Sequence, residues 1–204
     1  MAHLIRIMIA DDHPMVRQAL CQVCEAEPDL EVVGQAADGY EAYCMALLLH
    51  PDVVLMDLSM PLLDGVQATR HLTDSDDTAA IGVIIMTVCH QAAYGLQALK
   101  AGARAYLVKE ADSDTLLETI RAVATGEIVV TPLMARMILD EYRHQQSDPR
   151  VSNGLTHLQA GDQELLSLTI QGTPPPAITA QLGLTEASIR RRLSLIAAEL
   201  HAQG

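Results

Sequence analysis

Three aspartates, a threonine and a lysine stand at the ends of four apolar runs. Val53–Met56 leads into Asp57, Leu4–Ala10 into Asp11 and Asp12, Val83–Met86 into Thr87, and Ala105–Val108 into Lys109. A carboxylate can accept a phosphoryl group as an acyl phosphate. Several carboxylates crowded together need a cation between them, and an all-oxygen set suits Mg²⁺. A lysine pairs with a phosphoryl oxygen as a point charge, and a threonine hydroxyl can donate to another. Each residue alone also has a plainer role. Asp57 could cap a helix or turn, and Lys109 could be an ordinary surface lysine. The plain roles do not explain why all five groups stand at strand ends.

The runs read as buried strands, short and rich in β-branched residues, with turn formers on both sides. In an open parallel sheet the carboxyl ends of the strands form the ligand edge. A further strand is expected over 30–35. Helices are expected from Pro14, with Val16, Ala19, Leu20 and Val23 as an apolar stripe; over 38–49, with Tyr40, Tyr43, Cys44 and Leu47 on one side; over 66–72; over 91–101, stopped by Gly102; and over 112–124, ended by Gly126. Asp64-Gly65 reads as a turn pair after Pro61, and Thr73–Asp77 as a polar loop. Strands alternating with helices imply a parallel sheet with right-handed crossovers.

The spacing Asp57-x-x-Met60-Pro61-x-x-Asp64-Gly65, taken with Asp11-Asp12, Thr87 and Lys109, resembles the receiver domain of two-component response regulators throughout residues 1 to 124. The resemblance implies a flavodoxin-like α/β fold with a five-stranded sheet in the order 2-1-3-4-5. It implies Asp57 as phosphoacceptor, a sensor histidine kinase as donor, and Thr87 and Lys109 as the groups that meet the phosphoryl oxygens. It implies Mg²⁺ held by Asp11, Asp12, Asp57 and the backbone carbonyl of Ser59. Thr87 and Tyr106 would form the switch, the aromatic swinging inward as Thr87 moves towards the phosphoryl group. Val88 is bulkier than the small residue expected there and would narrow access to the acyl phosphate.

Length and composition agree with more than one domain. The chain has 204 residues, half of them hydrophobic, and a formal net charge of −13. Residues 1 to 124 hold 7 Lys+Arg against 18 Asp+Glu, a net −11, whereas residues 151 to 204 hold 3 against 4, a net −1. This argues against nonspecific nucleic-acid binding by the whole chain. No apolar run approaches the ~20 residues of a membrane span, and Asp11-Asp12 interrupts any signal-peptide core, so a cytoplasmic protein without membrane association is expected. Four cysteines in such a chain make no disulfide framework. Cys21-x-x-Cys24 has redox spacing, but its helical setting favours packing.

A helix over 131–146 carries Met134, Met137, Ile138 and Tyr142 on one stripe, and the turn-rich stretch 147–154 reads as a linker. Three more helices follow: about 162–171, one after Pro174-Pro175-Pro176, and one from Thr185 with Ile189, Leu193, Ile196 and Leu200 at core spacing. Leu165-Leu166, Leu168, Gln171-Gly172, Ile178, Leu182, Leu184-Thr185, Ser188-Ile189 and Leu193 resemble the LuxR-type helix-turn-helix of NarL-type regulators. The division expected is a receiver over 1–126, a linker region over 127–154 and a helix-turn-helix domain over 155–204, without the fourth helix usual in that module.

The resemblance implies promoter DNA as partner, read through Thr185, Ser188, Arg190, Arg191 and Arg192 by a homodimer formed on phosphorylation. Three consecutive arginines are also what a solvated helix face looks like, and the proline triplet removes N–H donors that could meet a phosphate. The expected function is a response regulator whose phosphorylation controls transcription, catalysing only its own phosphorylation and dephosphorylation. The alternative is a receiver whose C-terminal module binds protein or leaves the domain a phosphoryl sink. A phosphatase using Asp57 is a third reading, with no general acid in sight.

Overall fold

The computed structural model describes residues 4–88, 92–147 and 158–201. Five parallel strands, β1 (Ile5–Ala10), β2 (Leu30–Ala36), β3 (Val53–Asp57), β4 (Gly82–Thr87) and β5 (Ala105–Val108), form one sheet in the order β2-β1-β3-β4-β5. β3 and β4 are buried at every residue, as continuous apolar runs covered on both faces must be. Between and after the strands lie α1 (Pro14–Glu25), α2 (Gly39–Leu49), α3 (Gly65–Asp74), α4 (Ala92–Lys100) and α5 (Ser113–Ala124). The fold is the flavodoxin-like α/β arrangement expected, with a helical C-terminal part.

Two apolar layers flank the sheet. On one side Cys21 and Cys24 of α1 and Leu116, Ile120 and Val123 of α5 pack on Ile7, Ile9, Leu55 and Ile84. On the other, Ala42 and Ala46 of α2, Ala68 and Leu72 of α3, and Ala98 and Leu99 of α4 pack on Met8, Met56, Val83 and Ile85. Both cysteines serve as core residues: each is buried and free, and burial pushes the Cys24 thiol up to about 12.

Local chemistry sets the helix starts. Asp38, Asp64 and Asp112 cap α2, α3 and α5, their carboxylates accepting the N–H of Glu41, Gln67 and Thr115. Asp64 is thus a helix cap, not half of a turn pair, and α3 takes in Thr73 and Asp74 from the expected loop. Gly65 is required for another reason: a Cβ there would stand 2.1 Å from the Asp57 carbonyl oxygen. The left-handed residue of this loop is Leu62, at φ 63°. Of the residues expected on one side of α2, Tyr43 packs against the core. Tyr40 is exposed, and the alanines face the sheet. In α1 the inward face is led by Cys21 and Cys24, while Ala19 is exposed.

Four helices complete the chain: α6 (Pro132–Ser147), α7 (Ala160–Ile170), α8 (Pro175–Leu182) and α9 (Glu186–His201). Two prolines of the triplet lie inside the first turn of α8, where a missing N–H costs nothing. Gly183 caps that helix at φ 64°, a left-handed position suited to glycine. Ala135, Ile138, Leu139 and Tyr142 of α6 join Leu165, Leu166, Ile178, Ile189, Leu193, Ile196 and Leu200 in a third core. Of the linker expected over 147–154, Ser147 ends α6 and the rest lies outside the described residues. Among the described residues no helix is long and apolar enough to cross a membrane.

Candidate functional site

The ends of β1, β3 and β5 bring Asp11, Asp57 and Lys109 into direct contact. Lys109 Nζ stands 2.6 Å from Asp11 Oδ2 and 2.9 Å from Asp57 Oδ1. Asp11 is 1% exposed and Asp57 5%. The Lys109 amide donates to the Thr87 carbonyl at 2.8 Å and the Leu58 amide to the Met86 carbonyl at 3.2 Å. The chain leaving the sheet is therefore still held by β4, and the lysine is positioned by backbone as well as by charge.

The electrostatics are unbalanced. Three carboxylates, Asp11, Asp12 and Asp57, face one ammonium, which leaves two negative charges uncompensated. Burial pushes the Asp57 pKa up; Lys109 opposes this, and Asp11 and Asp12 add to it. Burial works against the Lys109 charge, yet hydrogen bonds to Asp11 and Asp57 hold its pKa above the ordinary lysine value. Asp11 Oδ2 and Asp12 Oδ1 are buried oxygens, the first 2.6 Å from Lys109 Nζ and the second 2.5 Å from His13 Nδ1. Ligand atoms of Asp11, Asp12, His13 and Asp57 all lie within 4.8 Å of one another. The three carboxylates among them supply the hard oxygens that fit a small divalent cation.

Around this cluster, Thr87 ends β4 and is 2% exposed. Ser59 lies in the exposed part of the loop after β3. Tyr106 is wholly buried on β5, in register with Ile85. Side chains alternate along a strand, so Thr87 and Tyr106 share the sheet face that α4 covers. A Cβ on Gly95 of α4 would come within 2.3 Å of Met137 Cε and 3.1 Å of Tyr106 Cε2. Tyr106, α4 and α6 therefore meet with nothing between them. Thr131, just before α6, donates its hydroxyl to the Tyr106 carbonyl at 3.1 Å. Val88 points outward, 67% exposed.

The C-terminal candidates divide. Thr185 and Ser188 are exposed at the start of α9 with their hydroxyls 2.9 Å apart. Arg190 is exposed, with Glu186 at 3.9 Å on the same helix, and Arg191 is exposed beside it. Arg192 does not join them. Its guanidinium turns back to Asp162 of α7, packing beside Gly161. Sequence reasoning missed three residues here. Asp162 lies 30 positions from its partner and leaves no local signal. His13 stands beside the acidic pair in the sequence, a signal that could have been used. Met137 was placed on a core stripe without its contact to Tyr106.

Residues 7–121 match the family model of the response regulator receiver domain. The transcriptional regulatory protein LiaR of Bacillus subtilis (strain 168) is 32% identical over 197 residues, covering 97% of this chain and 91% of its own. Among solved structures, a two-component response regulator of the LuxR family from Aurantimonas sp. SI85-9A1 is 37% identical at a TM-score of 0.62, over 69% of this chain and 99% of that one. The response regulator ChrA of a heme-sensing two-component system is 29% identical at a TM-score of 0.56, over 96% of this chain and 90% of that one.

Proposed function

The chain belongs to the response regulators of two-component systems, of the NarL/LuxR type, and accepts a phosphoryl group to control transcription; we propose that Asp57 is the acceptor and a sensor histidine kinase the donor. The observation that carries this reading is the Lys109 ammonium set between Asp11 and Asp57 at the sheet edge. A carboxylate oxygen of Asp57 attacks the phosphorus of a phosphohistidine. The P–O bond forms as the P–N bond breaks, and the electron pair leaves with the imidazole, which takes up a proton. Lys109 moves from carboxylate to phosphoryl oxygen, and the Thr87 hydroxyl donates to another. Asp11, Asp12, Asp57 and the Ser59 carbonyl would hold Mg²⁺, which when bound shields the charge on the transferring group.

The signal passes through Tyr106. The ring already occupies an inward seat beneath α6, so a shift of Thr87 towards the phosphoryl group repositions α6 rather than filling an open slot. An apolar recess of about 570 Å³ lined by Leu133, Met137 and Ile170 lies beside this seat. The receiver spans 1–126, the linker region 127–154 and the output module 155–204. Thr185, Ser188, Arg190 and Arg191 read promoter DNA, which the basic side chains meet at phosphates or guanines, and a phosphorylation-dependent homodimer presents two such helices. Arg192 braces α9 on α7 instead. The protein-binding alternative is not favoured, because relatives matching nearly the whole chain carry the names of transcriptional regulators.

The test is intact mass after incubation with a small phosphoryl donor. One phosphoryl adduct forms with Mg²⁺ and fails to form in chelator or in Asp57→Asn. An adduct that survives the substitution rejects Asp57 as acceptor.

A further inference from the structure

The edge of the sheet opposite Asp57 carries a cationic recess. It lies where α3 and α4 end and the chain turns into β5, and His201 at the end of α9 forms its remaining wall. Its volume is about 290 Å³. Arg70 of α3, Lys100 of α4 and Arg104 before β5 line it, three of the 13 Lys+Arg in a chain whose formal net charge is −13. One carboxylate, Asp74, lines it with them, and Glu141 reaches Lys100 from α6 at 2.8 Å.

Arg104 is the group that the fold alone does not explain. Its backbone is fixed on both sides: the amide donates to the Val83 carbonyl and the carbonyl accepts from the Val129 amide, both at 2.8 Å. The side chain is half-buried, and burial pushes its pKa down. Among the described residues its guanidinium forms no ion pair, and its hydrogen bond to the Ala79 carbonyl is long, at 3.4 Å. A partly desolvated cation without an anion is costly, and a bound anion offsets that cost. The guanidinium fork matches the spacing of phosphate oxygens.

We propose that this recess binds a small phosphate monoester, its dianion meeting Arg104 and Arg70. The volume stands at the lower end for ligand pockets, which suits a compact ester rather than a nucleotide. Because α9 supplies one wall and the receiver the others, a ligand touching both favours the docked arrangement of the C-terminal helices. The site shares no residue with the cluster around Asp57 and does not depend on phosphorylation there.

The probes are glycerol 3-phosphate and inorganic phosphate, titrated into the full chain without divalent cations and followed by NMR, with ionic strength held constant by NaCl. Binding shifts the Gly102 amide and the His201 ring protons together, and chloride alone does not. Arg104→Gln weakens the ester by about 10-fold or more, the order expected for one hydrogen bond between charged groups. Arg70→Gln, at an exposed position, weakens it by about 3-fold, as loss of a more exposed pair does, and melts like the parent. Arg136→Gln removes the same charge from an exposed position on α6 and leaves the affinity within about 2-fold, since a distant charge is screened. Equal loss in Arg136→Gln, unchanged affinity in Arg70→Gln, or shifts that spare Gly102 and His201 overturn the site. Equal binding of the two probes gives the recess to free phosphate and overturns the monoester. If Arg104→Gln fails to fold, Arg70→Gln decides.

Discussion

At the scale of single residues, the acidic cluster is costly to the fold in the absence of a divalent cation. Asp57 is nearly fully buried; burial raises its pKa, the neighbouring aspartates add to the rise, and Lys109 offsets it in part. A group whose folded pKa lies above its unfolded value favours the protonated state of the fold. Its contribution to stability is full below the unfolded pKa, about 4, and is lost as pH rises through the raised value. At neutral pH in chelator, Asp57→Asn is therefore expected to stabilise the protein by on the order of 1 kcal/mol, a rise of a few degrees in Tm. Adding Mg²⁺ should stabilise the parent and narrow or reverse the difference. Parallel melts with and without Mg²⁺ check this; a variant that melts lower than the parent in chelator contradicts it. The candidate site was legible because each of its groups ends an apolar run, and strand ends share one edge. Arg192 was not legible, because its role depends on Asp162 across a helix-helix contact that no spacing encodes.

At the scale of elements, α6 is the link between the two halves of the molecule. Met134 and Met137 enter the core beneath the sheet, while Ala135, Ile138, Leu139 and Tyr142 enter the core shared with α7 to α9. A helix with two buried faces cannot shift on one side without moving the other. Met137→Ala should cost about 2–5 kcal/mol, the range for a buried methionine. In a double-mutant cycle with Tyr106→Ala the losses should fail to add by about 0.5 kcal/mol or more. Chemical denaturation of the four proteins measures this, and additive losses would sever Tyr106 from α6. The sequence marked α6 as one apolar stripe because helical periodicity records that positions are apolar, not which of two cores receives them. The same limit explains α2. Its large side chains marked one side, but periodicity did not say how deep each would sit: Ala42 and Ala46 pack closest on the sheet, Tyr43 packs against them and Tyr40 is left outside. The strands and their order carried no such ambiguity, since the sheet is covered on both faces.

At the scale of the whole molecule, the C-terminal helices close against the receiver through α9 as well as α6. Ser194 Oγ donates to the Ile128 carbonyl at 2.8 Å, and Lys100 pairs with Glu141 at 2.8 Å. At the far end of α9, His201 Nε2 stands 3.1 Å from the Ala103 carbonyl oxygen. Arg70 and Asp74 of α3, Lys100 of α4 and Arg104 before β5 line the same recess of about 290 Å³; Glu199 lies on α9 itself. Burial pushes the His201 pKa down, the Ala103 bond opposes this, and Arg104 adds to the fall. A histidine with a lowered folded pKa gives stability that is complete above its unfolded value, about 6.5, and is lost as pH falls through the folded one. Acidification thus charges His201 among cations and weakens the hold of α9 on the receiver. Because Ser194 and the Lys100 pair remain, the seam should loosen rather than the domains unfold. Small-angle scattering at pH 7.5 should give a compact chain, with a radius of gyration close to the ~17 Å expected for this length. At pH 5.5 the radius should rise while the helical circular dichroism persists. His201→Gln keeps an amide that can donate to Ala103 but does not titrate, so its radius should change less over the same range. A variant that expands as much as the parent would show that the seam opens through another group.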